Sequence, residues 1–359
     1  MTERPSSLPQ RPDPRSTPAA RPATLPGGPS APGPEGDPLS DVLRTVRLTG
    51  AVFFDVRASD PWVAEAPPAR AIARHVRPGA QHVLEFHGIV AGACWGGLVG
   101  EPPIRLEAGD VIVFPHGDAH VLSSAPGMQG SVDLGFYERL PQMRLPVLVQ
   151  EGPPGPPSAH VVCGFLGCDL RPFHPLIAAL PRVLHHRARD AGDADWTAAL
   201  LRQALVESQS ERAGSGSVLT KLSELVFVGL VRRHMETLPP GASGWLGALR
   251  DPVVGRALAL LHERPAHRWS LDQLARAVAA SRSVLAERFR AGLGIPPMHY
   301  LTRWRMQLAA DLLERTPAGI GAVAAEVGYH SEAAFHRAFR KIVGVPPGTW
   351  RRRRGIGTG

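Results

Sequence analysis

The C-terminal third of the chain contains an internal repeat with a period of 50 residues. Residues 281–290 (SRSVLAERFR) align with residues 331–340 (SEAAFHRAFR). The Gly-Ile-Pro-Pro segment at 294–297 likewise aligns with Gly-Val-Pro-Pro at 344–347. A repeated sequence predicts a repeated supersecondary unit, so this region must fold into two copies of one small motif.

Each copy carries the start and stop signals of a helix. Ser281 and Ser331 occupy N-cap positions, and apolar anchors follow at four-residue spacing. A Gly then ends each segment and a Pro starts the next. Shorter amphipathic segments at 271–279 and 320–327 precede the two copies, each after a tight turn. Two short helices joined by a turn, the second one basic, are typical of a helix-turn-helix unit.

The outward positions of each second helix are candidates for contact with DNA. Where the anchors face inward, the residues between them face solvent. We predict the following DNA-binding residues: Arg282, Ser283, Ala286, Glu287 and Arg290 in the first copy, and Ser331, Glu332, Ala333, His336, Arg337, Arg340 and Lys341 in the second.

A long amphipathic segment at 297–313 connects the two copies and predicts a rigid linking helix. Such a helix could hold two recognition helices in successive major grooves, roughly 34 Å apart. Arg303 and Arg305, with the terminal run 351–354, are predicted phosphate contacts, which position a protein without reading sequence.

The net charge supports a polyanionic partner. The chain has a formal charge of +8, yet residues 251–359 hold 17 basic and 8 acidic residues, so the first 250 residues are close to neutral. A neutral body with a basic end predicts a sensing part joined to a part that binds double-stranded DNA. The alternative is a helical bundle that binds no nucleic acid, and the repeat together with the localised charge argues against it.

Residues 250–352 resemble the DNA-binding domain of the AraC/XylS family of bacterial regulators. The resemblance rests on Trp269-Ser-Leu-Asp-Gln-Leu-Ala275 and on the ordered series from Gly319-Ile320 to Gly344-Val-Pro-Pro347. It implies sequence-specific DNA binding, with RNA polymerase as a partner if the protein activates. One departure concerns the first recognition helix, where the family often has a bulky or basic residue and this chain has Ser283, Ala286 and Glu287. Glu287 could accept a hydrogen bond from cytosine N4 or pair with Arg290.

Short apolar runs broken by Gly and Pro characterise the N-terminal half. The segments 51–56, 71–75, 82–87, 88–95, 104–106 and 111–114 predict strands of an antiparallel sandwich or barrel. Gly109, Pro115, Gly117 and His120 have the spacing G-x5-P-x-G-x2-H, which resembles the second motif of cupin barrels. The predicted fold class is therefore multidomain α+β: a cupin-like antiparallel β-barrel, a helical linker, and an all-α domain with two helix-turn-helix units.

Three interpretations of the barrel interior stay open. One is a metal-free pocket for a small effector, lined by His87, Trp95 and His120. Another is a metal site with His87 and His120, since cupin enzymes bind metal through histidines and a carboxylate, although this chain lacks the spacing of a full ligand set. The third is that these residues form core or surface and bind nothing. No cofactor is predicted.

The cysteines allow a further alternative. Cys163 and Cys168 could bind a soft metal or form a redox switch. On a strand, however, residues five apart point to opposite faces, which favours ordinary burial. Three cysteines in 359 residues argue against a disulfide scaffold. With no apolar run long enough for a membrane span and no signal peptide, the sequence predicts a cytoplasmic protein.

The domain layout follows from these segments. Residues 1–38 are predicted to be a disordered Pro-rich tail, 39–170 the sensor, 171–245 a helical linker, 250–352 the DNA-binding domain and 353–359 a tail. The linker helices, at 175–180, 195–211 and 217–237, either form the seam of a homodimer or pack on the barrel.

Taken together, the sequence favours a one-component transcription regulator whose sensor responds to a small molecule or a chemical stress. The alternatives are a cupin-type metal-dependent enzyme with an attached DNA-binding domain, and a DNA-bound structural protein that senses nothing.

Overall fold

A computed structural model of the chain describes residues 36–45, 48–143, 145–169, 172–188, 196–210 and 212–354. Most of both predicted tails lies outside these residues. The strands are β1 (Thr49–Ala58), β2 (Val63–Ala66), β3 (His82–Leu98), β4 (Ile104–Glu107), β5 (Val111–Phe114), β6 (His120–Ser123), β7 (Val147–Glu151), β8 (Ala159–Cys168) and β9 (Leu184–His186).

The helices of the N-terminal and linking regions are α1 (Pro38–Thr45), α2 (Ala69–Val76), α3 (Leu134–Arg139), α4 (Pro175–Ala179), α5 (Thr197–Ser208) and α6 (Ser215–Thr237). Those of the C-terminal region are α7 (Trp245–Arg250), α8 (Pro252–Glu263), α9 (Leu271–Ala277), α10 (Arg282–Leu293), α11 (Pro297–Arg315), α12 (Ile320–Glu326), α13 (Glu332–Val343) and α14 (Pro347–Arg354).

The strands form a mixed sheet rather than a purely antiparallel one. The main path runs β2-β6-β3-β8-β1-β7, and β1 pairs with β7 in parallel. The long strand β3 connects the two halves of the sheet, because its first part pairs with β5 and β8 and its second part with β4 and β6. The predicted β domain is confirmed, and its purely antiparallel pairing is corrected.

Three local predictions were wrong. Residues 71–75 lie in α2, whose buried Ala69, Ile72 and Val76 follow helical spacing rather than strand alternation. The two strands predicted at 82–87 and 88–95 are one continuous strand, and Gly88 within it leaves room for the side chain of Leu201 on α5. The sheet also continues past residue 170, since β9 pairs with β5 inside the region predicted as a linker.

Both faces of the sheet are buried. Because successive side chains of a strand point to opposite faces, alternate residues pack into different cores. On β3, Leu84 and Phe86 join the core beneath the linker helices, whereas Val83 and Ile89 join the core inside the barrel. The charged and polar residues Glu85 and His87 share the parity of the barrel side. Burial on two faces explains why this strand is apolar for most of its length.

Two helix-turn-helix units are present where the repeat predicts them: α9 with α10, and α12 with α13. The Ser281 hydroxyl accepts from the Val284 amide at 3.2 Å, and Ser331 does the same for Ala334 at 3.3 Å. Both second helices end at glycines with positive φ, 70° at Gly294 and 86° at Gly344. The 50-residue repeat is therefore a repeat of structure.

The two units differ in how they are supported. The core of the first unit, with Phe289 and Tyr300, is continuous with the core beneath the sensor sheet. The second unit has a separate core, which includes Phe335, Phe339 and Trp350. The first unit is thus packed into the sensor, whereas the second is supported by α11, α12 and α14.

Helix α1 precedes the barrel in sequence but packs on α8 and α11. Its Asp41 carboxylate lies 3.5 Å from His262 Nδ1 on α8. The hydrogen bond and charge of His262 hold the pKa of Asp41 below its ordinary value, against the opposite effect of burial. Segments that precede and follow the barrel in the sequence therefore both pack on the first unit.

The linker helices α5 and α6 pack on each other, and α6 packs on β1. Leu219, Leu222, Val226 and Leu230 form the buried stripe of α6. Leu225, on the same helix, is exposed. Among the described helices, none is long and apolar enough to span a membrane.

Candidate DNA interface and sensor cavity

The outward face of α13 carries three exposed basic side chains that can contact DNA. Arg337, Arg340 and Lys341 are exposed, while Phe335 and Phe339 hold the helix on its unit. The His336 ring lies 3.5 Å from the Glu332 carboxylate one turn earlier. Ser331, Ala333 and the turn before them lie at the exposed N-terminus of the same helix. The face can therefore present guanidinium groups to guanine edges and phosphates.

The outward face of α10 is less basic. Arg282 pairs with Asp272 at 3.0 Å and Arg288 pairs with Asp251 at 2.9 Å, so two guanidinium groups are held within the first unit. Ser283, Glu287 and Arg290 are exposed, and Ala286 is half-buried. The exposed Val284 was missed by sequence reasoning, although it stands three residues before Glu287 on the helix. An apolar residue there can meet a thymine methyl group.

Two arginines predicted to contact phosphate have other partners. Arg305 donates from Nε to the Pro265 carbonyl at 2.7 Å and from Nη2 to the His267 carbonyl at 2.8 Å. Arg351 donates to the carbonyls of Leu313 and Ala318. These bonds fix the loop after α8 and the end of α11. The structure therefore gives both arginines a role in holding the units together.

Arg303, the other predicted phosphate contact on α11, lies toward the sensor. Its guanidinium carbon is 4.7 Å from the centre of the Phe173 ring, on the segment that follows β8. It lines a cleft between the sensor and the first unit, rather than extending the face of either recognition helix.

The barrel encloses a cavity of about 690 Å³. Aromatic and aliphatic side chains form most of its wall, and Glu65, Gln129 and Asp133 are among the polar residues that line it. Its principal aromatic residues are Phe54, Trp62, Phe136, Tyr137 and Phe165. A cavity of this size with few polar groups is typical of a small-molecule site.

Three buried polar side chains converge on one wall of this cavity. His87 Nε2 lies 2.7 Å from His120 Nε2, and His120 Nε2 lies 3.5 Å from Glu85 Oε2. One potential ligand atom from each residue lies within 4.8 Å of the other two. Glu85 and His87 come from the cavity side of β3, and His120 begins β6. Sequence reasoning did not place Glu85 with the two histidines.

The hydrogen-bond network assigns the ring protons. His120 Nδ1 lies 2.9 Å from the Asp118 carbonyl, which can only accept, so Nδ1 carries the proton and Nε2 is an acceptor. His87 Nε2 must then donate to His120 Nε2. The His87 Nδ1 and Glu85 Oε1 atoms are buried without a hydrogen-bond partner among the described residues.

Burial favours the neutral form of all three side chains. It raises the pKa of the Glu85 carboxyl well above its ordinary value. It lowers the pKa of His87 well below the ordinary range, with a smaller contribution from His120, and it lowers the pKa of His120 to about 4. The cavity wall therefore presents three groups whose charged forms are disfavoured by burial.

This donor set fits a divalent transition metal. Two imidazoles and a carboxylate are a common ligand combination for such metals. The bond from His120 Nδ1 to a backbone carbonyl is the arrangement that orients metal-ligating histidines. The orphaned Glu85 Oε1 and His87 Nδ1 show that protein partners leave the cluster incompletely satisfied.

Trp95, the third residue predicted to line the effector pocket, does not reach the cavity. It lies on β3 beyond Cys94, and the Arg105 guanidinium covers its ring at 5.6 Å. The strand alternation that points Cys94 into the barrel core points Trp95 outward.

The two candidate redox cysteines lie on opposite faces of β8. Cys163 belongs to the barrel core and lines the cavity, whereas Cys168 belongs to the core beneath the helices. Both thiols are free. Burial raises the pKa of Cys163 well above its ordinary value and that of Cys168 to about 12. Neither a shared metal site nor a reactive thiolate is consistent with this arrangement.

Comparisons with known proteins identify both parts of the chain. A cupin family model matches residues 37–236, and a helix-turn-helix domain model matches residues 274–353. A protein of Streptomyces antibioticus described as an AraC-like transcription regulator is 32% identical over 325 residues, covering 88% of this chain and 98% of that protein.

The chain belongs to the AraC family of transcription regulators. The HTH-type transcriptional regulator AlkR of Acinetobacter baylyi is 27% identical over 306 residues, covering 85% of this chain and 95% of AlkR. The solved C-terminal domain of AraT, a response regulator from Geobacillus stearothermophilus, is 34% identical over 30% of this chain and 90% of that domain, with a TM-score of 0.30.

As an AraC-family member, the protein is a DNA-binding transcription regulator with a cupin-type sensing domain. The relatives are named as regulators, which confirms the prediction of a regulator over that of an enzyme. Double-stranded DNA is the partner that the helix-turn-helix domain implies.

Proposed function

We propose that this regulator senses a small molecule in the barrel cavity and that occupation of the cavity changes its affinity for a promoter. The observation that carries the proposal is the cavity itself, about 690 Å³ with a largely apolar wall and the Glu85–His87–His120 cluster on one side. The described lining includes no Lys or Arg, so the cavity disfavours an anionic effector, which would lose its hydration there without a cationic partner.

The strand β7 offers a matched pair of variants for testing the cavity. Val149 lines the cavity, whereas Leu148, its neighbour on the strand, is 72% exposed. Val149→Phe fills part of the cavity, and Leu148→Phe adds the same ring to the outer surface.

The test begins by selecting the operator from a random DNA pool with the full chain. Its affinity is then measured with and without the low-molecular-mass fraction of a cell extract. We expect the fraction to change the affinity of the wild type and of Leu148→Phe, and to have little effect on Val149→Phe. An equal response of all three proteins would place the effector elsewhere.

Base reading is assigned to the recognition helices. We propose that α13 provides the main sequence contacts through His336, Arg337 and Arg340, and that α10 contributes Ser283, Val284, Ala286 and Glu287. The exposure of Ser283, Val284, Glu287, Arg337 and Arg340 and the charge of α13 support this assignment, while Ala286 and His336 are half-buried. If the protein activates transcription, RNA polymerase is a further partner.

A second candidate for the sensed species is a divalent transition metal bound by Glu85, His87 and His120. The specific observation in its favour is the convergence of three buried ligand atoms within 4.8 Å. Metal binding would replace the contact between the two imidazole nitrogens and give the buried carboxylate a counter-charge.

We further propose that the regulator forms a homodimer through the outer face of α5 and α6. Val206, Val218 and Leu225 are exposed there, and Val218 and Leu225 stand seven residues apart on α6. Light scattering of the wild type and of a Leu225→Glu variant tests this: the variant should be monomeric where the wild type is dimeric, and identical masses would reject the interface.

A further inference from the structure

The barrel cavity has acidic side chains in its wall and no basic residue to balance them among the described lining. The acidic side chains of that lining are Glu65, Glu85, Asp133 and Glu151, and the same lining includes no Lys or Arg. Arg139 offsets Asp133, because its guanidinium lies 3.4 Å from that carboxylate. The other three carboxyl groups pair with no Lys or Arg among the described residues. The cavity is therefore short of positive charge.

Glu151 is the carboxyl group that faces the aromatic part of the cavity. It is the last residue of β7 and is half-buried in the cavity wall. Burial raises the pKa of its carboxyl group. Burial also raises the pKa of the Tyr137 hydroxyl, and the charges of Glu85, Cys163 and Glu151 add to that effect. The Glu151 carboxylate thus acts on the region around Tyr137 without a compensating charge from the described residues.

Buried acceptor atoms in the cavity wall lack donors. Glu85 is 2% exposed, and its Oε1 has no hydrogen-bond partner among the described residues. His87 Nδ1 is also buried without a partner there, and it has an available lone pair because His87 Nε2 donates to His120. A buried acceptor without a donor costs free energy that an N–H group of a ligand would recover. These two atoms are an observation independent of Glu151, and they favour the same kind of ligand.

Two rings of α3 give the cavity an aromatic surface that a ligand can reach. Phe136 and Tyr137 line the cavity and are only half-buried. Their ring centroids are 5.7 Å apart and the angle between the ring planes is 83°, so the two rings form a corner. The face of an aromatic ring attracts an ammonium group through its quadrupole. Val63 and Val149, also half-buried, supply aliphatic surface beside them.

We propose that the effector of the barrel cavity is an organic cation, an amine whose ammonium group lies at the Glu151 carboxylate and the rings of Phe136 and Tyr137. The apolar part of the amine occupies the rest of the cavity. The proposal deepens the proposed function, on which it rests for the place where the effector binds.

The cost of removing a charge from water decides between classes of effector. An ammonium group in this cavity exchanges water for a carboxylate, for ring faces and for buried acceptor atoms. A carboxylate in the same place would meet carboxyl groups and no Lys or Arg of the described lining. A primary amine suits the site better than a quaternary one, because its N–H groups can donate to the unpaired acceptors.

The test uses the full chain, with ¹⁵N at the indole nitrogens of its seven tryptophans. Trp62 lines the cavity and its Nε1–H has no partner among the described residues, so its signal reports occupation, and Trp62→Phe assigns it. The buffer contains EDTA, which keeps divalent metals away from Glu85 and the two histidines. The probes are 2-phenylethylamine and 2-(1-naphthyl)ethylamine. Each is compared with the alcohol and the propanoic acid of the same aromatic group.

We expect at least one amine to shift the Trp62 signal saturably. Its dissociation constant should be at least about tenfold lower than that of the matching alcohol, and the acid should bind most weakly. The comparison isolates the charge, because amine and alcohol have the same apolar part.

The variants separate charge from general structure. Glu151→Gln should weaken binding of the amine about tenfold or more and have little effect on the alcohol. Glu138→Gln makes the same change of charge on an exposed residue of α3 outside the cavity lining, and it should leave both affinities unchanged. Phe136→Leu is an independent variant, should Glu151→Gln fail to fold. It removes a ring face and should weaken the amine more than the alcohol.

The proposal is overturned if the alcohol binds as tightly as the amine, if Glu151→Gln binds the amine like the wild type, or if neither amine moves the Trp62 signal. The experiment with the cell-extract fraction keeps the proposed function separate. If the fraction changes the operator affinity of the wild type but not that of Val149→Phe, the cavity remains the sensing site and only the cationic class is rejected. If all three proteins also respond equally to the fraction, the proposed function fails as well.

Discussion

The Nε2 atoms of His87 and His120 face each other at 2.7 Å inside the sensor barrel. Two imidazoles in this arrangement cannot both be protonated, because the charges would repel and burial already lowers both pKa values. The pair therefore stays neutral near pH 7 and leaves the adjacent Glu85 without a cationic partner.

Glu85 should make the stability of the sensor depend on pH. Because its folded pKa is raised above the ordinary value, the protonated carboxyl contributes stability at low pH, and that contribution is lost as the pH rises through the folded pKa. Glu85→Gln cannot ionise. The melting temperature of the variant minus that of the wild type should therefore be larger at about pH 8.5 than at about pH 5. Glu138→Gln, an exposed carboxylate of the same domain, serves as the control. If this difference in melting temperature is the same at both pH values, ionisation of Glu85 does not destabilise the sensor.

The same cluster should bind cobalt(II) or zinc(II) with one ion per chain. We expect calorimetry to show the site in the wild type and in His116→Ala, and to show its loss in His120→Ala. The affinity should increase with pH, because Glu85 must lose its proton to act as a ligand. Equal binding by the wild type and His120→Ala would remove these residues from the metal site.

Arg337 should contribute to sequence recognition. Arg337→Ala should cost roughly 1–3 kcal/mol on the selected operator and relax the preference at one base position. A binding profile across a library of operator variants measures both effects. Arg315→Ala, which removes an arginine paired with Asp311 on α11, should leave the profile unchanged. A uniform loss of affinity across the library would instead make Arg337 a phosphate contact.

Arg305 should matter for folding and have little direct effect on DNA binding. Arg305→Gln loses hydrogen bonds to two backbone carbonyls, and we expect the free energy of unfolding to fall by about 1–3 kcal/mol. The salt dependence of DNA affinity should keep its slope. Arg340→Gln is the contrasting variant: it should reduce that slope by about 0.9 if Arg340 contacts one phosphate, with little loss of stability. A shallower slope for Arg305→Gln with unchanged stability would restore it as a phosphate contact.

The difference between Arg337 and Arg305 shows where sequence reasoning succeeds. Arg337 was placed on an outward face by its spacing from Phe335 and Phe339, and the structure agrees because the anchors belong to the same helix. Arg305 was also placed by charge on a basic helix, yet its partners come from a loop 38 and 40 residues away. Nothing in the local sequence signals those carbonyls.

In the sensor, too, the local sequence predicted the elements but not the contacts between residues far apart in the chain. The pattern from Gly109 to His120 predicted a strand and a turn, and β5 and the start of β6 lie there. The convergence of His120 with Glu85 and His87 depends on the pairing of β3 with both β5 and β6. A shift of one residue in that register would turn His87 to the opposite face, and the sequence alone does not specify the register.

The sequence by itself determined the two helix-turn-helix units, their caps and their basic outer faces, because helical periodicity and capping act over a few residues. Only the tertiary structure decided that the first unit shares a core with the sensor, that Arg303 faces a cleft between them, and that Glu85 joins two histidines. Those relationships depend on strand register and on packing between segments far apart in the chain, where no local pattern distinguishes one partner from another.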